Sequence, residues 1–192
     1  MIVDILRALG TPPAAVLDEN ARVTEVLGVP VMKTGALPSS DGCVIIAIGD
    51  NAARERVAAG YSRFATVVHP TACVASDVEV GEGSVIMAGA VINSGSRIGL
   101  HCIVNTHATV EHDCVLNDFA HVAPGATLGG SVRIGHGAVI SLHAGVIHGR
   151  TVGAYTVVGA GAVVLDDLPD QVVAYGVPAR IARSRTPGEP YL

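Results

Sequence analysis

Residues 104–130, VNTHATVEHDCVLNDFAHVAPGATLGG, place an aliphatic side chain at Val104, Val110, Leu116, Val122 and Leu128, each six residues from the last. The step of six continues on both sides. Val74, Val80, Ile86, Ile92 and Ile98 precede it, and Ile134, Ile140, Val146, Val152, Val158 and Val164 follow, sixteen Val, Ile or Leu positions without a slip. A short fixed period outranks local helix or strand signals, because it reports stacked equivalent units. Two positions before the aliphatic residue lies a mostly small one: Ser84, Ala90, Ser96, Cys102, Ala108, Cys114, Ala120, Ala126, Ala138, Ala144 and Ala162. Glycine often follows it, at Gly81, Gly99, Gly129, Gly135, Gly153 and Gly159. A bulky residue pointing inward, then a Gly or Asn able to take positive φ, then a small residue near a corner predicts a triangular coil of three hexapeptides. An α-helix would need apolar residues at three- and four-residue steps, and the many Gly and β-branched residues disfavour it.

The chain before the repeat has another texture. Residues 1–9 read as an amphipathic helix ended at Gly10, Ala14 to Leu17 as a short strand, and Cys43 to Ile48 as a buried strand of the parallel type. Asn51 to Tyr61 reads as a helix capped by Asp50 or Asn51. The Gly49 turn and that helix N-terminus would then form a site suited to a phosphate. After the repeat, Leu165 to Pro169 leaves the coil, and Gly176-Val177-Pro178-Ala179-Arg180 makes a turn before a short polar tail. The expected organisation is mainly β: a small α/β domain over residues 1–69, a β-helix over 70–168, and a C-terminal turn and tail over 169–192.

With 49% apolar residues among 192, the chain can bury a substantial core. A net charge of -5 and the lack of a Lys/Arg run argue against nucleic-acid and anionic-membrane partners. The opening MIVDILRALG is too short and too polar for a spanning helix or a signal peptide, so a cytoplasmic protein is expected. Cys43, Cys73, Cys102 and Cys114 show no CxxC spacing, which predicts reduced, mostly buried thiols.

The period also serves as a ruler, since residues eighteen apart should stack on successive coils. It groups His112, Gly130 and His148 in one column and His107, Gly125 and His143 in another. The repeat wants aliphatic, small or glycine residues, so these histidines are candidates for chemistry. His112 lies between Glu111 and Asp113, and an adjacent carboxylate can hold one imidazole tautomer and support its basicity. Gly130, one coil above, is a candidate backbone donor to an oxyanion.

The stretch Asn105-Thr106-His107-Ala108-Thr109-Val110-Glu111-His112-Asp113-Cys114 and the following Asp118-Phe119-Ala120-His121-Val122-Ala123-Pro124-Gly125 resemble the sialic-acid O-acetyltransferase and bacillosamine N-acetyltransferase family. So do Val158-Gly159-Ala160-Gly161-Ala162-Val163-Val164 and Gly176-Val177-Pro178-Ala179; the resemblance runs from about residue 1 to about 183. It implies the left-handed parallel β-helix of hexapeptide acyltransferases, preceded by a truncated Rossmann-like α/β domain. It also implies a homotrimer with ligands in grooves between subunits. The implied activity is acetyl-CoA-dependent transfer to a sugar, here the 4-amino group of a nucleotide-linked amino-deoxysugar, or a hydroxyl in a sialic-acid type O-acetyltransferase. By the same resemblance His112 is the base and Asp113 its support, while Asn105 lines the pocket. His121 lies beside the thioester, and Gly130 is the donor to its carbonyl. Leu142 and Ala160 meet the CoA arm by main chain, and Asp18, Glu19 and Gly49 hold the acceptor; no metal is implied. The family pattern opens with a strand and a glycine-rich loop ahead of the helix matched here by Val3 to Leu6. This sequence starts within that helix, so a shortened nucleotide cradle is expected.

Two rival readings stand beside this one. His107, His143 and His148 have a spacing that resembles gamma-class carbonic anhydrases, whose three imidazoles and open water position make a catalytic zinc site. A trimeric binding module without catalysis is the other.

Overall fold

The computed structural model describes residues 1–33 and 42–189. The repeat forms a parallel β-helix of two-residue strands in three sheets. Partners are eighteen residues apart, as in Ile103 with His121 and Val104 with Val122, so three hexapeptides do make one coil. The first sheet has eight strands and starts at Val67–Val68; the second has six, from Cys73–Val74; the third has five, from Glu79–Val80. Turns join them at three corners. Residues 105–108 and their stacked equivalents form the first corner, 111–114 the second, and 117–120 the third. The aliphatic ladder fills the axis, with Ile86, Val104, Val110, Val122, Leu128, Ile134 and Ile140 all fully buried. Burial of one such side chain contributes about 1.5–3 kcal/mol.

The glycines that directly follow the aliphatic residues do not take the positive φ expected of them. Positive φ occurs three residues after the aliphatic position, at every sixth residue from Gly83 to Gly161, and not at the glycines that directly follow it. Where a non-glycine holds that place, as at His101, Asp113, Phe119 and Tyr155, φ is 54°, 60°, 60° and 54°. Bulky residues adopt this region only under constraint, and here the register imposes it. The glycine directly after the aliphatic residue is small for another reason, the approach of the next coil. A Cβ on Gly135 would lie 2.4 Å from the backbone N of Ala154 and 2.6 Å from the backbone C of Gly153.

The small column links the coils as well as filling the corners. The Ser84 hydroxyl donates to the Gly99 carbonyl at 2.8 Å and accepts from the Cys102 N–H at 2.8 Å. The Cys102 and Cys114 thiols donate to the carbonyls of Asn117 and Gly129, each at 3.2 Å. Burial pushes the Cys102 thiol up to about 12 and raises that of Cys114, so both stay protonated structural groups. Cys43 and Cys73 are exposed rather than buried, and all four cysteines are free.

In the N-terminal part, α1 (Ile2–Ala8) ends with Gly10 at φ 73° and packs Ile5 in a cluster with Val67, Val85 and Ile103 of the first sheet and with Met87 just after it. The strand expected over Ala14 to Leu17 shortens to Val16–Leu17 and pairs in parallel with Val31 and Met32. Missed in the sequence was a hairpin, Glu25–Val26 against Val29–Met32, turned by Leu27 and Gly28 at φ 50° and 80°. Its Leu-Gly turn hides the usual Asn-Gly or Asp-Gly signal. Cys43 to Ile48 makes no ladder; Val44 forms one isolated bridge to Phe64. The Ile48 and Gly49 carbonyls accept instead from the Arg54 guanidinium, at 2.9 and 3.1 Å. The second helix, α2 (Asn51–Ala58), is capped by Asp50, whose carboxylate accepts the Ala53 N–H at 2.7 Å.

Past the coil, the expected polar tail is partly a strand. Val172–Tyr175 joins the first sheet beside Val157 and Val158, and Arg180–Ser184 returns antiparallel to it, capping the end of the stack. The turn at residues 176–179 is the turn of this hairpin, not an exit from the fold.

If close stacking fixes these glycines, Gly135→Ala destabilises the protein by about 1–3 kcal/mol. Gly145→Ala, with nothing within 4 Å of the added methyl, is neutral or slightly stabilising. Urea unfolding midpoints compare the two, and equal midpoints would contradict the argument.

Candidate active site

The second corner carries His112, the residue that the sequence singles out as a candidate base. Asp113 occupies the positive-φ place, which turns its carboxylate back onto the preceding residue: His112 Nδ1 lies 2.8 Å from Asp113 Oδ2. A carboxylate accepts, so Nδ1 carries a proton, and in the neutral ring Nε2 keeps its lone pair. The next coil is locked on by the Ser131 N–H donating to the His112 carbonyl at 2.8 Å. That bond brings Gly130 against the ring, where an added Cβ would lie 2.5 Å from His112 Nε2. The Gly130 N–H makes no hydrogen bond to the described residues. The Nε2 edge of His112 and the backbone of Gly130 therefore adjoin on an open surface, with His112 and Asp113 both exposed.

A second group lies on the first sheet and its corner. The Asn105 carbonyl oxygen accepts the Thr106 N–H at 2.8 Å, which leaves its amide to donate to His121 Nε2 at 3.1 Å. His121 is therefore protonated at Nδ1, a buried atom without a partner among the described residues. Burial, then the nearby Arg54 charge, pushes the His121 pKa down to about 4, so the ring is neutral. Asn105 and His121 form the polar end of an open cleft whose other walls are apolar, among them Ile2, Ile46, Ile48 and Met87, with Gly49 at its rim. Leu142 and Ala160 stack on successive coils of the first corner, exposed, with N–H groups that make no bond to the described residues.

One chain does not bring the two groups together. In a triangular coil the second corner lies opposite the first sheet, so His112, Asp113 and Gly130 face away from Asn105 and His121. Asp18 and Glu19 are exposed in the turn after Val16–Leu17, outside the cleft lining; the Asp18 carboxylate accepts the Asn20 N–H at 2.8 Å.

One expectation fails here. The α2 N-terminus is no phosphate site: the Asp50 carboxylate occupies it, and buried Asn51 donates to the Gly137 and Ala138 carbonyls at 3.1 and 3.2 Å. The zinc reading finds no support within one chain. His107 and His143 take the positive-φ place and lean on Gly89 and Gly125, where an added Cβ would meet each ring at 2.4 Å. They stand two coils apart, about 10 Å at the spacing of paired strands. His148 lies on a different corner, and no three His, Cys, Asp or Glu of the described residues gather at a metal-binding distance.

The sequence reading missed Arg54, which is 1% exposed and ties α2 to the coil. Its guanidinium donates to the His101 and Phe119 carbonyls at 2.9 Å each and to Asn51 Oδ1 at 2.7 Å. It also missed the ring stack of Phe64, His101, Phe119, His136 and Tyr155 along the third corner. His136 Nε2 lies 3.0 Å from Glu55 of α2, so the stack seats the helix on the coil. The eighteen-residue ruler aligns 101, 119 and 155 and could have shown this.

No protein-family model matches the chain. Over 95% of its length it is similar to the perosamine N-acetyltransferase of Caulobacter crescentus, solved with CoA and GDP-perosamine, with 41% identity, 91% of that chain covered and a TM-score of 0.90. It is similar to the acetyltransferase domain of PglB from Neisseria gonorrhoeae FA1090, solved with acetyl coenzyme A, with 37% identity over 94% of this chain and 92% of that one and a TM-score of 0.86. Among curated proteins, UDP-N-acetylbacillosamine N-acetyltransferase of Bacillus subtilis (strain 168) is 45% identical over 52 residues. That match takes in 25% of this chain and spans about a quarter, 24%, of the relative's length.

The neutral, buried His121 couples folding to pH. Its stabilising effect is complete above about pH 6.5, where the imidazole of the unfolded chain is neutral too, and is lost as pH falls toward 4, because only the unfolded chain takes up the proton. Stability should fall by about 3 kcal/mol across that window, and His121→Gln should remove this part of the acid slope. Denaturant titrations at a series of pH values read it; an unaltered slope in the variant would refute the buried neutral state.

Proposed function

Because the chain belongs to the hexapeptide-repeat sugar N-acetyltransferases, we propose that it transfers the acetyl group of acetyl-CoA to the 4-amino group of a nucleotide-linked amino-deoxysugar, with His112 as general base. One observation carries the assignment of the base: Asp113 holds Nδ1, so that Nε2 faces the bare backbone of Gly130, whose N–H makes no bond to the described residues.

The acceptor nitrogen attacks the thioester carbonyl carbon while His112 Nε2 takes its proton. The carbonyl oxygen becomes an oxyanion and accepts from the Gly130 N–H. The C–S bond then breaks, the CoA thiolate leaves, and the imidazolium can return the proton to it. Cys102 and Cys114 take no part, being buried and protonated. His121, held neutral, orients the thioester and acts as a hydrogen-bonding group without charge.

The same proposal includes a homotrimer. The second corner of one subunit would face the first corner of its neighbour, so that His112 meets Asn105, His121 and the exposed strip of Leu142 and Ala160 across the interface. The separation of these groups within one chain supports that reading. Residues 1–69, with Asp18, Glu19 and Gly49, are assigned to the nucleotide-sugar, 70–168 to acyl transfer, and 169–192 to the closing turn and tail. A cytoplasmic site is part of the proposal; free cysteines, two of them exposed, fit a reducing compartment. No helix of the described residues is long and apolar enough to cross a membrane.

The test is turnover of acetyl-CoA with GDP-perosamine and with a UDP-linked 4-amino-sugar, beside hydroxyl-bearing analogues. An amine acceptor should turn over, and His112→Ala should lower kcat by about a hundredfold to ten-thousandfold with acetyl-CoA affinity retained by calorimetry. Intact turnover in that variant sinks the base assignment, and turnover confined to hydroxyl acceptors sinks N-acetylation.

A further inference from the structure

At most positive-φ places the side chain that leans back on a glycine of the coil below is an aromatic or imidazole ring. His101 lies against Gly83, His107 against Gly89, His143 against Gly125 and Tyr155 against Gly137. At the second corner the seated group is a carboxylate. An added Cβ on Gly95 would lie 2.3 Å from Asp113 Oδ1 and 3.3 Å from its Cγ. The other oxygen of that carboxylate, Oδ2, is the one bonded to His112 Nδ1. Gly95 itself is fastened from below: Asp77 Oδ2 accepts its N–H at 2.8 Å and the Ser94 hydroxyl at 2.7 Å. Those two bonds also hold the Asp77 carboxyl below its usual range. The Ser94 carbonyl in turn accepts the Asp113 N–H at 3.0 Å.

We propose that Gly95 is a positioning residue for the acetyl transfer: its bare backbone, pinned by Asp77, is the seat that holds the Asp113 carboxylate against His112 Nδ1. The proposal rests on His112 being the base. Asp113 is exposed, and among the described residues its side chain is held by the bond to His112, its own backbone and this seat. A methyl group at residue 95 fills the space of Oδ1, rotates the carboxylate toward solvent and releases Nδ1. The imidazole then drifts to the tautomer protonated at Nε2, which has no lone pair for the acceptor's proton.

Column-mate Gly149 gives a matched control. It lies in the same column, has φ 69° against 75° at Gly95, and has nothing within 4 Å of an added Cβ. Gly149→Ala thus carries the same backbone strain without the clash.

The experiment uses the full-length protein labelled with ¹⁵N-histidine, with His112 resonances identified from their loss in His112→Ala, and turnover in parallel. Wild type and Gly149→Ala should show His112 protonated at Nδ1. Gly95→Ala should shift it toward the Nε2 tautomer, as Asp113→Asn does, with kcat down about ten- to a hundredfold and KM for acetyl-CoA nearly unchanged. In the Asp113→Asn background, Gly95→Ala should add nothing, since both remove one contact. A wild-type tautomer in Gly95→Ala, or losses that simply add, overturns the seat. Full turnover in His112→Ala overturns the base assignment instead, and the tautomer measurement still decides whether Gly95 seats Asp113.

Discussion

Every rung of this protein must lie on the one below with its backbone hydrogen bonds in register, eighteen residues apart. That stacking, at the spacing of paired strands, sets the rest. It brings each turn so close to the next that a residue such as Gly135 has no room for a Cβ. It drives one residue in six into positive φ, including Phe119 and Tyr155, which would avoid that region in isolation. The opposing gain is the continuous aliphatic axis, where Ile86, Val104, Leu128 and Ile140 are sealed from water.

The same constraint distributes chemistry. At Gly130, Leu142 and Ala160, each two places after an aliphatic residue, the N–H has no partner among the described residues, and at several turns the side chain of the next residue leans on a glycine of the coil below. Where the leaning residue is a histidine on a glycine, as at His107 and His143, the result is a packed turn. Where it is Asp113, the carboxylate reaches sideways and bonds the His112 imidazole. Histidines alike in the sequence thus differ by what their ring or neighbour rests on.

Arg54 joins the two parts of the molecule. A guanidinium this buried needs many acceptors, and it finds carbonyls of the coil at His101 and Phe119 and of the N-terminal segment at Ile48 and Gly49. Its charge also helps keep His101 and His121 neutral, after burial itself. One side chain therefore docks the α/β layer and contributes to the electrostatics of the cleft beside it.

The step of six is enough to give the coil, its core and the stacking of residues eighteen apart, though not its hand, because a side chain that points inward every sixth residue closes three short strands around one axis. The EHD run made His112 and Asp113 legible, since sequence neighbours at a tight turn stay neighbours in space. Only the tertiary structure showed which glycine does what, because positive φ and close approach leave the same letter in the sequence. It alone laid the His107 and His143 rings on Gly89 and Gly125, denied α2 its anion site and revealed Arg54, whose acceptors lie up to 65 residues away. It alone, too, set His112 on the far side of the coil from Asn105 and His121. Which face a residue occupies relative to a groove depends on how three sheets close around an axis, and a linear period does not carry that information.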